Sequence, residues 1–138
     1  MNKNNKNKAK GETAEAAFLC KAIRMNLGVS SPWGDNKKYD FIIEGYTGKL
    51  YKVQVKSTEN FIKSKKGGMY RIKAGFGIKR KGYKKNDVAF IICYVVPSDN
   101  FYLIPFMALK GTSIQLYPHR DNPAGFYERY KEAWDLIK

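Results

Sequence analysis

The chain has 138 residues, and its 26 lysine and arginine residues against 12 aspartate and glutamate residues give a formal net charge of +14. The length fits one domain with its own core, and 43% of hydrophobic residues excludes a disordered chain. The charge favours a polyanionic partner, most often nucleic acid, with an anionic membrane surface as the weaker alternative and a merely soluble basic protein as the plain one. The sequence has neither a spanning apolar run nor a signal-peptide pattern, so we expect a cytoplasmic protein with no membrane segment.

The first ten residues are almost entirely asparagine and lysine, with four lysines among them. This composition predicts a disordered basic arm over residues 1–10, followed by a single domain over residues 11–138. The arm fits additional phosphate contacts and a solubilising tail equally well.

Residues 11–27 have the spacing of a helix, with Phe18 and Ala22 on its apolar stripe and Gly28 as its stop. Glu15 falls on the inward side of the predicted first turns. Its carboxylate either complements the helix dipole there or points toward a site.

Residues 38–44 and 49–57 predict two strands joined by a glycine-containing hairpin turn. In the second strand, Val53 and Val55 alternate with polar residues, so the valines share a face that closes a core. The loop before the first strand, residues 29–37, leads directly to this hairpin. We therefore expect that loop at the rim of whatever site the hairpin carries.

The polar face of the hairpin carries the groups that phosphodiester hydrolysis needs. Pairing the strands brings Asp40 near Gln54 and Lys56. Asp40 can ligate Mg²⁺ directly, Gln54 through its amide oxygen, and Glu15 adds the negative charge that Gln54 lacks, with Mn²⁺ as an alternative ion. Lys56 would contact the attacking water or the phosphate. The plain alternative is that Gln54 and Lys56 form the solvated face of an edge strand.

Residues 61–85 contain ten lysines and arginines and no aspartate or glutamate, with aromatic residues and glycines between them. This combination is typical of loops that follow a nucleic acid backbone. The predicted DNA contacts are Lys63, Lys65, Lys66, Arg71, Lys73, Lys79, Arg80, Lys81, Lys84 and Lys85.

The rest of the chain predicts further sheet and a last helix. Residues 87–96 form a continuous apolar run that predicts a strand buried on both faces, with a pairing strand over residues 101–104 and another over 112–117. Residues 125–138 have the pattern of an amphipathic helix. The predicted fold class is α/β or α+β, with a mixed sheet flanked by helices. Both cysteines, Cys20 and Cys93, lie in apolar segments and are predicted to be buried thiols.

Four short motifs occur in an order that resembles the PD-(D/E)XK nuclease superfamily. They are Lys10-Gly11-x-x-x-Glu15, Pro32-Trp33-Gly34-Asp35-Asn36, Tyr39-Asp40-Phe41 and Val53-Gln54-Val55-Lys56-Ser57. The chain looks most like the branch of group I intron-encoded homing endonucleases, in which glutamine replaces an acidic residue of the motif. It is also similar to archaeal Holliday-junction resolvases, which carry glutamate at the place of Gln54.

The resemblance implies a restriction-endonuclease-like core and Mg²⁺-dependent DNA cleavage that leaves 5′-phosphate and 3′-hydroxyl ends. It implies that Asp40 is the central metal ligand, that Gln54 replaces the second acid, that Lys56 is the catalytic lysine and that Glu15 is the helix acid near the metal. The sequence departs from the superfamily's pattern at Tyr39, where proline is usual.

The predicted function is a Mg²⁺-dependent DNA endonuclease of the homing or mobile-element type that recognises a specific site. One alternative is a structure-selective nuclease of the resolvase or repair kind, and a second is a catalytically silent DNA-binding module. The partner would be double-stranded or branched DNA. We expect a dimer or tetramer, because one small domain reads few base pairs.

Overall fold

A computed structural model describes residues 2–73, 87–111, 113–120 and 125–138. One α-helix, α1, spans Lys3–Arg24 of these residues. The strands are β1 (Gly28–Ser30), β2 (Phe41–Glu44), β3 (Leu50–Thr58), β4 (Phe61–Ile62), β5 (Met69–Lys73), β6 (Phe90–Val95), β7 (Asn100–Pro105) and β8 (Ser113–Leu116). Short 3₁₀ turns occupy Val96–Ser98, Phe106–Ala108, Glu128–Tyr130 and Trp134–Leu136.

The central sheet has five strands in the order β1-β2-β3-β6-β7. Its β3 and β6 pair in parallel, and its other neighbours are antiparallel. Strands β4, β5 and β8 form a separate antiparallel sheet. The predicted class, α+β with a mixed sheet, is confirmed.

Strand β6, between β3 and β7 in the sheet, is apolar and buried at every position, so both of its faces lie in a core. Ile92 on one face packs in a core with Phe18 of α1, and Ile91 on the other face packs with Ile72 of β5 and Ile114 of β8. The prediction that residues 87–96 form a strand buried on both faces is therefore confirmed. Within the described residues, α1 covers one face and the small sheet covers the other, instead of helices on both.

The N-terminal prediction differs from the structure. Residues 3–10 are the first turns of α1, and the side chain of Asn2 caps the helix by accepting a hydrogen bond from the Asn5 N–H at 2.9 Å. Residues 2–13 are all exposed, so this half of the helix extends away from the core. The polar composition of residues 2–10 therefore indicates that their side chains are exposed, but it does not indicate whether their backbone is helical or disordered.

The predicted C-terminal helix is wrong. Residues 125–138 instead fold against β7: the Glu132 N–H donates to the Phe101 carbonyl at 2.7 Å, and Glu132 has a φ of 51°. The Glu128 carboxylate is buried and accepts hydrogen bonds from the Tyr102 hydroxyl at 2.8 Å and the Tyr117 N–H at 3.1 Å. These contacts fix the segment in short turns although its apolar spacing is helical.

Of the two cysteines, Cys93 is buried as predicted, whereas Cys20 is exposed on α1, so that prediction is wrong. No helix in the described parts of the chain is long and apolar enough to cross a membrane.

Candidate active site

Asp40 lies directly opposite Gln54, at the point where β2 begins. The Asp40 N–H donates to the Val53 carbonyl at 2.9 Å, and the Val55 N–H donates to Asp40 Oδ2 at 2.7 Å. These two bonds flank Gln54, so the carboxylate is held against β3 by the backbone itself. Because β2 starts only at Phe41, the Asp40 side chain supplies the acceptor that a longer strand would have supplied.

Glu15 approaches Asp40 from α1. It follows the buried Ala14, and its carboxyl group is hydrogen-bonded to that of Asp40. Burial, the hydrogen bond with Asp40 and the negative charges of Asp40 and Glu12 together raise the pKa of Glu15 to about 7, with burial as the largest cause. Two carboxyl groups this close repel each other when both are ionised, so one of them tends to keep a proton. A divalent cation bound between them would relieve the same repulsion.

The helix-dipole interpretation of Glu15 is wrong. Since α1 begins at Lys3, its first turn contains no acidic residue, and Glu15 lies past the middle of the helix. The dipole's effect is confined to the terminal turns, so it does not account for an acid at this position.

The two carboxyl groups line a recess of about 420 Å³, which we call the carboxylate pocket. Its wall opposite α1 comes from the loop between β1 and β2, as expected from the sequence. The lining residues are Glu15, Ser31, Pro32, Gly34, Asp35, Lys37, Tyr39, Asp40 and Phe41. Asp35 is a third acid of the pocket that the sequence reasoning did not single out, although it lies within a motif that the resemblance quoted.

Alternation along β3 directs Lys56 to the opposite face from Val53 and Val55, which pack in the core with Phe18 of α1. In the sheet register it pairs with Cys93 of β6, and the thiol there has its pKa raised to about 12 by burial, with the Lys56 charge acting in the opposite direction. Lys56 lines a second recess of about 710 Å³, which we call the basic cleft. Among the residues lining it are Asn7, Lys10, Lys56, Ser57, Glu59, Arg71 and Lys73.

The structure thus places the predicted site residues in two groups. Glu15 and Asp40 are in contact, with Gln54 across from Asp40 on β3. Lys56, two residues beyond Gln54, lines the basic cleft and does not line the carboxylate pocket. The cleft itself was not predicted, because it forms between α1, β3 and β5, which are distant in sequence.

Five of the predicted DNA-binding residues lie in the β4–β5 hairpin or on β5. Lys63, Lys65 and Lys66 are exposed in the β4–β5 hairpin, and Arg71 and Lys73 are exposed on β5. Lys79, Arg80, Lys81, Lys84 and Lys85 lie outside the described residues.

The donor set at Asp40 fits Mg²⁺. Among the described residues, no three histidine, cysteine, aspartate or glutamate side chains converge as a metal site. Mg²⁺ nevertheless keeps several waters and is commonly held by one or two carboxylates, so the Glu15–Asp40 pair has the chemistry to hold it, whereas Gln54 lines neither recess.

Asp40 lies against β3, the strand that carries Gln54 and Lys56, and Glu15 of α1 lies beside it. This arrangement on a mixed sheet is typical of the class of PD-(D/E)XK nucleases. The model of the PD-(D/E)XK endonuclease family matches residues 5–135. The chain belongs to this family, and the predicted superfamily is confirmed.

One solved structure makes the relationship more specific. The chain is similar to the bacterial homing endonuclease I-Ssp6803I, with 33% sequence identity and a TM-score of 0.73 over 94% of this chain and 91% of that one. No curated protein sequence gives a significant match. The protein is therefore a nuclease of the PD-(D/E)XK class that resembles homing endonucleases.

Proposed function

We propose that this nuclease is a divalent-metal-dependent DNA endonuclease that hydrolyses phosphodiester bonds at a site it recognises by sequence. The observation that carries the proposal is the Glu15–Asp40 carboxyl pair, in which Asp40 is hydrogen-bonded to the backbone of β3 next to Gln54. Similarity to a homing endonuclease along nearly the whole of both chains supports site-specific recognition.

Glu15, Asp40 and the amide oxygen of Gln54 would hold the ion, with Mg²⁺ as the expected ion and Mn²⁺ as the alternative. When bound, the ion supplies a Lewis acid for the phosphoryl oxygen. Lys56 would donate hydrogen bonds to a phosphate oxygen or to the attacking water, stabilising negative charge that develops during hydrolysis. The Asp40–Val55 hydrogen bond keeps the carboxylate oriented, which lowers the cost of assembling the site.

The DNA backbone would lie along the basic cleft. Arg71 and Lys73 line this recess from β5 and Lys10 lines it from α1, whose exposed N-terminal half also carries Lys3, Lys6 and Lys8. The lysines of the β4–β5 hairpin extend the same positive surface. Contacts of this kind position DNA without reading its sequence.

Recognition of a long site would require more than one copy of the chain, so we propose a dimer or tetramer. Sedimentation equilibrium with and without DNA measures this directly. A protein that stays monomeric while cutting one defined site would contradict it.

The test is cleavage of supercoiled plasmid and of a randomised duplex library by the wild type and by Asp40→Asn, with Mg²⁺, with Mn²⁺ and with EDTA. Asparagine keeps an acceptor for the Val55 N–H while removing the charge, so folding is preserved. Asp35→Asn is the matched control, since it removes a charge from the same pocket without touching β3. We expect metal-dependent cutting that Asp40→Asn abolishes and Asp35→Asn retains, with 5′-phosphate ends at one enriched sequence.

Two additions to this experiment separate the alternatives: a four-way junction with its linear arms as substrates, and a measurement of DNA binding alongside cleavage. A four-way junction cut in preference to its linear arms would indicate a structure-selective nuclease. Tight binding to all these DNAs without cutting in either metal would indicate a DNA-binding module and would contradict the proposed activity.

A further inference from the structure

Trp33 is the most exposed large apolar side chain among the described residues. It is 99% exposed, whereas the other tryptophan, Trp134, is 5% exposed and stacks on Phe18. A solvent-exposed tryptophan is unusual, because this side chain has the largest apolar surface to bury and is enriched where a partner covers it.

The chain holds this side chain beside the carboxylate pocket. Pro32 and Gly34, the neighbours of Trp33 on either side, both line the pocket, but Trp33 itself does not. Gly34 has a φ of +81°, a conformation that side-chain-bearing residues rarely adopt, and Pro32 fixes the backbone before it. The Pro-Trp-Gly turn therefore keeps the indole at the rim of the pocket that holds Glu15 and Asp40.

We propose that Trp33 is a positioning residue that stacks on, or inserts beside, a DNA base next to the phosphodiester bond that is cut. The inference rests on the proposed function, because the carboxylate pair of the pocket would lie at the scissile phosphate. A base attached to that phosphate is within reach of a side chain anchored one residue from the pocket wall. Aromatic stacking on bases tolerates any sequence, and apolar wedges inserted between base steps unstack them and kink the DNA.

Charge favours DNA over a second copy of this chain as the occupant. The protein has a net charge of +14, which attracts DNA, whereas any contact between two copies of the chain has to overcome the repulsion of like charges. Lys37, in the same loop and on the wall of the same pocket, is an exposed cation placed to contact the phosphate beside the stacked base.

The first experiment compares cleavage by Trp33→Ala and Trp33→Phe with that of wild type, and DNA binding in EDTA is measured alongside. Met107→Ala is the control, since Met107 is also an exposed apolar side chain but lines neither pocket. Loss of a stacked base predicts about ten- to hundredfold slower cutting by Trp33→Ala, with Trp33→Phe close to wild type. The melting temperature should not change, because Trp33 has almost no contacts to lose.

The second experiment reads Trp33 directly in the wild-type protein. The neutral quencher acrylamide should quench the emission of exposed Trp33 and spare buried Trp134. Adding duplex DNA that carries 2-aminopurine near the cut site, in EDTA, should protect Trp33 from acrylamide and change the 2-aminopurine emission.

The outcomes distinguish this inference from the proposed function. If Trp33→Ala cuts as fast as wild type, the positioning role is overturned and the nuclease stands. The same holds if the wild type cuts DNA in the presence of metal but bound DNA does not protect Trp33 from acrylamide in EDTA. If Trp33→Ala changes only the sedimentation of the protein, Trp33 contacts another copy and the proposal is also overturned. Absence of cutting by wild type in either metal contradicts the proposed function itself.

Discussion

The carboxylate pocket and the basic cleft are recesses of opposite charge that share α1 as a wall. The pocket has three carboxyl groups against one lysine, whereas the cleft has Lys10, Lys56, Arg71 and Lys73 against Glu59. One recess suits a cation and the other an anion. Hydrolysis of a phosphodiester needs both, so the difference indicates a division of roles between metal and DNA backbone along one helix and one strand.

The two recesses meet through β3. Asp40 is hydrogen-bonded to Val55, and Lys56, the next residue, faces the cleft. Neighbouring positions of one rigid strand therefore hold an acid of the pocket, through a backbone hydrogen bond, and a cation of the cleft. Single substitutions should therefore affect the two recesses separately.

The largest expected effect comes from Lys56→Ala. We expect cleavage to fall by about 10²–10³-fold, the loss typical of removing a donor that stabilises charge in the transition state. DNA affinity in EDTA should change little, because many other cations remain. Single-turnover cleavage and fluorescence anisotropy measure the two quantities.

Lys52→Ala is the control for Lys56→Ala. Lys52 lies on the same face of β3 but stands over the Tyr39 ring, 5.6 Å from its centroid. Equal losses in both variants would mean that Lys56 acts only through general charge, which would remove it from the catalytic site.

Glu15→Gln should have a smaller effect on cleavage, which it lowers, and an opposite effect on the melting temperature, which it raises. Cleavage should fall by about ten- to a hundredfold at low Mg²⁺ and recover partly at high Mg²⁺, because one ligand charge is lost. In EDTA above pH 7, where Glu15 is ionised, the variant should melt about 2–4 °C higher, because the repulsion between the Glu15 and Asp40 carboxylates is gone. A variant that melts lower and needs no additional Mg²⁺ would show that Glu15 serves packing alone.

Glu12→Gln is the matched control for Glu15→Gln. Glu12 lies on the same helix and one turn earlier, but it is exposed and lines neither recess. It should leave the Mg²⁺ requirement unchanged.

Much of the carboxylate site was predictable because it follows from local periodicity. Alternation along residues 49–57 set the faces of β3, and the glycine-containing turn set its pairing with β2, which together put Asp40 beside Gln54. The depth of Glu15 within α1 was not predictable, since it depends on where the helix starts. The asparagine- and lysine-rich residues 3–10 have no apolar stripe to indicate that start.

Residues 125–138 show the opposite case, in which a helical spacing of apolar residues is present but no α-helix forms. Their apolar residues do have helical spacing, and Trp134 and Ile137 are buried. The buried Glu128 carboxylate and the Glu132 N–H find partners on β7 and near β8, so tertiary hydrogen bonds override the spacing. A single sequence does not show those partners.

The basic cleft should respond gradually to charge removal. The double variant Arg71→Gln/Lys73→Gln should lower DNA affinity several-fold and reduce the slope of log K against log salt by about 1.8, if both contact phosphates of duplex DNA. Lys49→Gln/Lys131→Gln removes the same charge from exposed positions outside the cleft and should change the slope less. Equal slopes in the two double variants would contradict a DNA path along the cleft.

The smallest expected effect concerns the reactivity of Cys93 on β6, which pairs with Lys56 of β3 in the sheet register. Burial raises the pKa of Cys93 to about 12, so this thiol should stay protonated and unreactive at pH 8–9, whereas exposed Cys20 should react readily. A chromogenic disulfide reagent should therefore titrate one thiol in the native protein and two in denaturant, with Cys20→Ser leaving none in the native protein. Rapid labelling of Cys93 would mean that solvent reaches β6 at this position and would contradict the burial of Cys93 in the apolar core.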